Sequence, residues 1–285
     1  LLSALALSLG VGFSLAFLNE YYIGGVTSAE QLSEIMGLPT ATTIPRIIER
    51  NEHRLSVAEK IVDAPLSVYA ESVRKLRAAV DQTFRANHDP TLISTGKTIL
   101  VTSAQANEGK TTTSLALART YALAGKNTLL IDADLRKPAI HKQLGFAPDM
   151  GFLDFLRDPV KSEISGSFYA KDPATPLALI LGAGRSDIPT DQLLNSATFE
   201  ALLDQAREVY DVVIIDSPPL LPVVDARYIA HRADAVVLVV RWAATSQSDL
   251  RSAVQPLREA MQPAAVLLPV LCHRETGKLT ARDGA

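Results

Sequence analysis

The chain has a single cysteine, Cys272, which rules out an internal disulfide framework and fits a reducing compartment. No His/Cys cluster stands at metal-ligand spacing. There is no basic tail or stripe, and a net charge of −3 over 285 residues leaves nucleic acid unsuggested as a partner. Internal repeats and low-complexity tracts are also absent, and 271–285 contains no tyrosine, the last being Tyr228. Apolar residues are not scarce. At 47% hydrophobic and 21% charged, the chain can fill the core of one large α/β domain with appendages.

Charge is missing altogether from Leu1 to Leu18. Eighteen helical residues span about 27 Å, just enough for a hydrocarbon core of ~30 Å, so residues 1–19 are expected to form a transmembrane helix. A signal peptide would need a basic start and a small-residue cleavage site, and neither is evident. Ala4, Ser8, Gly12 and Ala16 fall four apart, as do Ala6, Gly10 and Ser14, a spacing that permits close helix packing in lipid. The first residue is not Met, and the chain reads as the C-terminal part of a longer protein. Residues 20–65 are expected to be a juxtamembrane linker. A short helix from Ser28 to Gly37 opens with a Ser28/Gln31 capping box, and Arg46, Arg50 and Arg54 follow among three prolines.

The region 66–272 alternates helix and apolar run. Leu66 to Ala86 reads as a helix with Val68, Val73, Leu76 and Val80 apolar and Glu71, Arg74 and Arg77 along one side. Strands are expected at Thr98–Thr102, Thr128–Ile131, Val212–Ile215, Ala235–Val240 and Ala265–Leu271, with helices at Lys110–Ala124 and Phe199–Val209. Apolar runs alternating with helices imply a parallel sheet covered on both faces.

Three segments at strand ends carry the chemistry. Ala104 to Thr112 contains Gly109-Lys110-Thr111 between a strand and a helix. A phosphate loop needs backbone N–H groups facing phosphate, a lysine for the β/γ oxygens and a hydroxyl for Mg²⁺. Lys110 and Thr111 fill the last two roles, and Ala106, Asn107, Glu108, Gly109 and Thr112 complete the candidate nucleotide-binding set. Ala104 stands where the pattern has its first glycine, and Asn107 is a residue able to take positive φ. Asp132 and Asp216 each follow an apolar strand, with Asp134 close behind the first. One such carboxylate could be a capping or turn residue, but two with Asp134 beside a phosphate loop read as ligands at the crevice of an open α/β sheet. Because Mg²⁺ takes only one or two, one is left to orient a hydroxyl nucleophile or accept its proton.

These segments resemble the cytoplasmic tyrosine-kinase domain of bacterial exopolysaccharide co-polymerases, a P-loop NTPase-type fold. Ala104–Thr112 is similar to Walker A, Leu129–Arg136 to Walker A′ and Val212–Asp216 to Walker B. The resemblance implies Mg-ATP as cofactor, Thr111, Asp134 and Asp216 around the metal, and Lys110 and Asp132 as catalytic residues. It also implies that Glu71, Arg74 and Arg77 join kinase domains in a homo-oligomeric ring at the inner membrane. The implied activity is tyrosine autophosphorylation regulating polysaccharide polymerisation and export, with a cognate phosphatase as a further partner. Family members usually end in a tyrosine-rich tail; here 273–285 has none, so either the C-terminus is altered or truncated or phosphorylation falls on an internal tyrosine such as Tyr69. Pro269 also departs from the family pattern. The alternatives are a subunit whose ATP site only controls assembly, and a MinD/ParA-like ATPase. The latter group has a lysine five positions before the Walker A lysine, where this chain has Gln105.

Overall fold

The computed structural model describes residues 8–13, 24–47, 56–86, 95–146, 148, 150–160, 169–182 and 189–274. Its elements in chain order begin with α1 (Ala29–Met36), β1 (Thr42–Pro45), a 3₁₀ turn (Val57–Glu59), α2 (Lys60–Asp63), α3 (Val68–Ala86) and β2 (Lys97–Ser103). They continue with α4 (Lys110–Leu123), β3 (Thr128–Asp132), α5 (Ile140–Leu144), α6 (Phe152–Arg157), β4 (Ala170–Lys171) and β5 (Ala178–Ile180). The last are α7 (Thr190–Leu194), α8 (Ala197–Val209), β6 (Val212–Asp216), α9 (Asp225–Ala230), β7 (Ala235–Arg241), α10 (Gln247–Ala260) and β8 (Val266–Arg274).

The eight strands form one sheet in the order β1-β8-β7-β2-β6-β3-β5-β4, in which only the β4–β5 pair is antiparallel. The central strands read as unbroken apolar runs because both faces are covered, and β3, β6 and nearly all of β7 are buried along their length. Alternate side chains feed two cores. Leu129, Ile131, Val213 and Ile215 pack with α6 and α8 on one face, while Leu130 and Ile214 pack with α3 and α4 on the other. β6 lies between β2 and β3, so their carboxyl ends open onto one crevice.

The segment expected as a linker is partly sheet. Ser28 caps α1, its Oγ accepting from Gln31 N at 3.0 Å; the Gln31 side chain returns to Thr27 N at 2.8 Å rather than to Ser28. β1 then joins β8 at the sheet edge, an interaction that no local pattern in residues 42–45 announces. Pro269 sits inside β8 without breaking it. Its carbonyl faces β1 and accepts from Ala41 N at 2.8 Å, while pairing with β1 starts one residue later, at Val270. The missing N–H therefore lies where the edge strand has barely begun.

Of the apolar segment 1–19 only 8–13 is described; it is helical, with Leu9, Val11 and Phe13 exposed. Among the described residues no helix is long and apolar enough to cross a membrane. The rest of the expected membrane helix, Arg50 and Arg54, and the tail beyond Arg274 lie outside the described residues. His273 and Arg274, assigned to that tail from sequence, are the last residues of β8.

Candidate active site

β2 ends at Ser103 and α4 starts at Lys110, and the six residues between turn back over the strand end. The turn requires two left-handed residues, Asn107 at φ 64° and Gly109 at φ 97°. Asparagine tolerates that region better than most side chains, and glycine takes it freely. Ala104 is fully buried, so the position where the pattern has glycine serves the core. The first N–H groups of α4 have no helical partner and face the crevice, as an anion site requires.

Lys110 Nζ donates to Asp134 Oδ2 at 3.0 Å, and both side chains are nearly buried. Burial alone would lower the Lys110 pKa, but Asp216, Asp134 and Asp132 together outweigh it and the ammonium is held charged. Asp134 Oδ1 accepts from Lys137 N at 3.0 Å. Asp216 is fully buried, and its Oδ1 accepts from Ser114 Oγ at 2.9 Å. Asp132 Oδ2 accepts from Ala139 N at 3.1 Å and Ile140 N at 3.0 Å. Gly182 makes room for this arrangement: a Cβ there would meet Pro138 Cβ at 2.4 Å and the Asp132 carboxyl carbon at 3.3 Å.

Asp132 and Asp216 are register partners on β3 and β6. Burial raises both pKa values, that of Asp132 to about 8, with the neighbouring Asp216 adding to it. Asp132 Oδ1 and Asp216 Oδ2 are buried and have no hydrogen-bond partner. Orphaned carboxylate oxygens are costly unless a cation or its water meets them. Beside the Thr111 hydroxyl they fit a hydrated Mg²⁺. Among the described residues no group of three or more His, Cys, Asp or Glu forms a metal cage. A Mg²⁺ that is completed by phosphate and water does not need one.

Above these groups lies a cavity of about 550 Å³, within the range of small-molecule sites. Ala106, Asn107, Gly109, Lys110, Thr111, Thr112 and Asp134 line it. Arg136, Lys137, Lys142, Gln143 and His273 also line it and were missed. Arg136 closes the Leu129–Arg136 segment, and its guanidinium meets the buried Asp225 of α9 at 3.3 Å. Gln143 bonds the Thr112 hydroxyl at 3.2 Å. The Glu108 side chain does not line the cavity; it is 3% exposed beneath the loop and accepts from Gln105 N at 3.0 Å.

Glu71, Arg74 and Arg77 are not at this site but on α3. Arg74 makes two bonds to Glu71, of 2.9 and 2.6 Å, and one to Pro65 O. Arg77 donates to Thr120 O of α4 at 3.2 Å. Tyr69 is 3% exposed, and its hydroxyl pKa is raised chiefly by burial, so in this fold it is closed to phosphorylation.

Fold and site together define a P-loop nucleotide-binding α/β domain. The CobQ/CobB/MinD/ParA nucleotide binding domain family matches residues 99–263. Over 195 residues the chain is 33% identical to the tyrosine-protein kinase YwqD of Bacillus subtilis, covering 68% of this chain and 77% of the relative. It is 34% identical over 230 residues to the succinoglycan biosynthesis transport protein ExoP of Rhizobium meliloti, covering 79% of this chain. The kinase domain of the Escherichia coli tyrosine kinase ETK superposes with a TM-score of 0.76 at 25% identity, covering 90% of this chain and 97% of that one. The chain belongs to the bacterial tyrosine kinases within the CobQ/CobB/MinD/ParA nucleotide-binding family. It spans between 28% and 34% of the length of ExoP and the EpsB kinases of Ralstonia.

Proposed function

We propose that the domain transfers phosphate from Mg-ATP to tyrosine in a membrane-anchored protein that controls exopolysaccharide polymerisation and export. One observation carries the reading: a phosphate loop faces two register-paired buried aspartates, each with an unpartnered oxygen. Likeness to YwqD and ExoP supports tyrosine as acceptor and polysaccharide export as setting.

Lys110 exchanges Asp134 for phosphate oxygens and neutralises charge on the transferring group. Thr111 and Asp216 would hold Mg²⁺ with Asp134 in support, and the ion would offset phosphate charge. Ser114 orients Asp216. Asp132 accepts the proton of the attacking tyrosine hydroxyl. Arg136, Lys137 and Lys142 draw the polyphosphate into the cavity. The contribution of the protein is positioning and electrostatics.

Glu71, Arg74 and Arg77 are assigned to contacts between kinase domains in a ring, which would present a tyrosine of one subunit to the site of the next. The domain faces the cytoplasm, where ATP is, below an inner-membrane helix. Incubating the protein with Mg-ATP and mapping phosphotyrosine by mass spectrometry tests the activity. Phosphotyrosine that vanishes in Lys110→Met supports it; nucleotide binding without phosphotyrosine would instead support an ATP-dependent assembly subunit.

A further inference from the structure

The underside of the phosphate loop is fastened to a turn that the catalytic reading does not use. Residues 242–246 connect β7, which ends at Arg241, to α10. Thr245, 1% exposed, donates its hydroxyl to Glu108 Oε1 and accepts from Arg241 N at 2.8 Å. The Arg241 guanidinium donates to Asn107 O at 2.9 Å, gripping one of the two left-handed residues of the loop. Glu108 uses its other oxygen on Gln105 N, so one buried carboxylate ties the loop across itself and to the turn.

The turn is not self-supporting. Ala243 holds φ at 54°, a conformation that costs a side-chain-bearing residue energy and that its surroundings must enforce. Those surroundings are residues 24–27, upstream of the domain's first helix. Ala243 N donates to Val26 O at 2.8 Å, Val26 N to Thr245 O at 3.0 Å, and Trp242 Nε1 to Thr27 O at 2.8 Å. Gly25 lies so close to the turn that a Cβ would meet the Ala243 carbonyl carbon at 2.6 Å. A continuous set of hydrogen bonds therefore runs from the chain just after the apolar N-terminal segment, through Thr245, to the loop that receives phosphate.

We infer that Thr245 and Glu108 are positioning residues for nucleotide capture, and that the segment at residues 24–27 sets the shape of the phosphate loop through them. Displacing the segment removes the restraint on Ala243, shifts Thr245, and leaves Glu108 with an unpaired buried oxygen under the loop. The inference rests on the nucleotide reading of the site and not on the identity of the acceptor.

The test is titration of the full chain with a fluorescent ATP analogue and Mg²⁺. Thr245→Val should weaken binding about tenfold, the scale of one lost bond to a buried charged group. Thr245→Ser keeps the hydroxyl and should restore it. Gly25→Ala, outside the cavity, should weaken binding in the same direction. Thr175→Val removes a comparable hydroxyl–carboxylate bond, to Asp172, and should leave affinity unchanged. Equal affinity in wild type and Thr245→Val, or an equal loss in Thr175→Val, would overturn the inference. An unchanged Gly25→Ala would overturn its upstream half. Failure of the wild type to bind would overturn the nucleotide reading itself, and this inference with it.

Discussion

At the scale of single residues, Asp132 combines full burial, an aspartate as register partner and an oxygen with nothing to bond. Its folded pKa of about 8 lies above its unfolded value of 3.8. Between those values the folded state holds a proton that the unfolded state has released, so stability falls as pH rises through this window and levels off above it. Thermal denaturation of the nucleotide-free protein from pH 4 to 9 should show that decline, and Asp132→Asn should flatten it; an unchanged slope would mean another group titrates. Lys110→Met leaves three carboxylates without their cation and should abolish transfer, read as loss of phosphotyrosine. In the active wild type, mapped phosphotyrosine should exclude Tyr69 and Tyr121, both buried, whereas Tyr169 and Tyr228 are exposed. Phosphate on Tyr69 would show that α3 separates from the sheet during turnover.

At the scale of elements, β4 and β5 are held to α4 by a pair that neither segment announces. Arg119, in the middle of α4, makes bonds of 3.0 and 2.7 Å to Asp172, and both side chains are almost wholly buried. Removing one member of a buried pair strands the other. Asp172→Ala should therefore cost about 3 to 5 kcal/mol in urea denaturation, while Arg119→Met with Asp172→Leu should recover much of it; a loss under about 1 kcal/mol would place the pair in solvent. The phosphate loop is the opposite case. Strand, turn and helix are contiguous, so Asn107, Gly109, Lys110 and Thr111 could be placed from their order alone. Glu108 belongs to the same run, yet its side chain points beneath the loop because its partner, Thr245, is remote in sequence.

At the scale of the whole molecule, α3 packs against the domain and keeps part of its charge in solvent. The Glu71 and Arg74 side chains remain accessible, whereas Arg77 is more enclosed and tied to Thr120. Replacing Glu71 and Arg74 with Ala should lower the oligomeric mass in analytical ultracentrifugation and leave nucleotide affinity intact; unchanged mass would remove this helix from assembly. Adding Arg77→Ala should also reduce thermal stability, because it breaks a contact within the protomer. The sequence by itself determined the parallel α/β class, the phosphate loop and the two acidic strand ends, because apolar period and strand–turn–helix order are local properties of a chain. Only the tertiary structure decided that β6 lies between β2 and β3, which pairs Asp132 with Asp216. It alone brought His273 and Arg136 to the crevice, set the Thr245 turn under the phosphate loop and put residues 42–45 into the sheet. Those juxtapositions depend on strand order and on loops meeting across one edge, and no run of neighbouring residues encodes them.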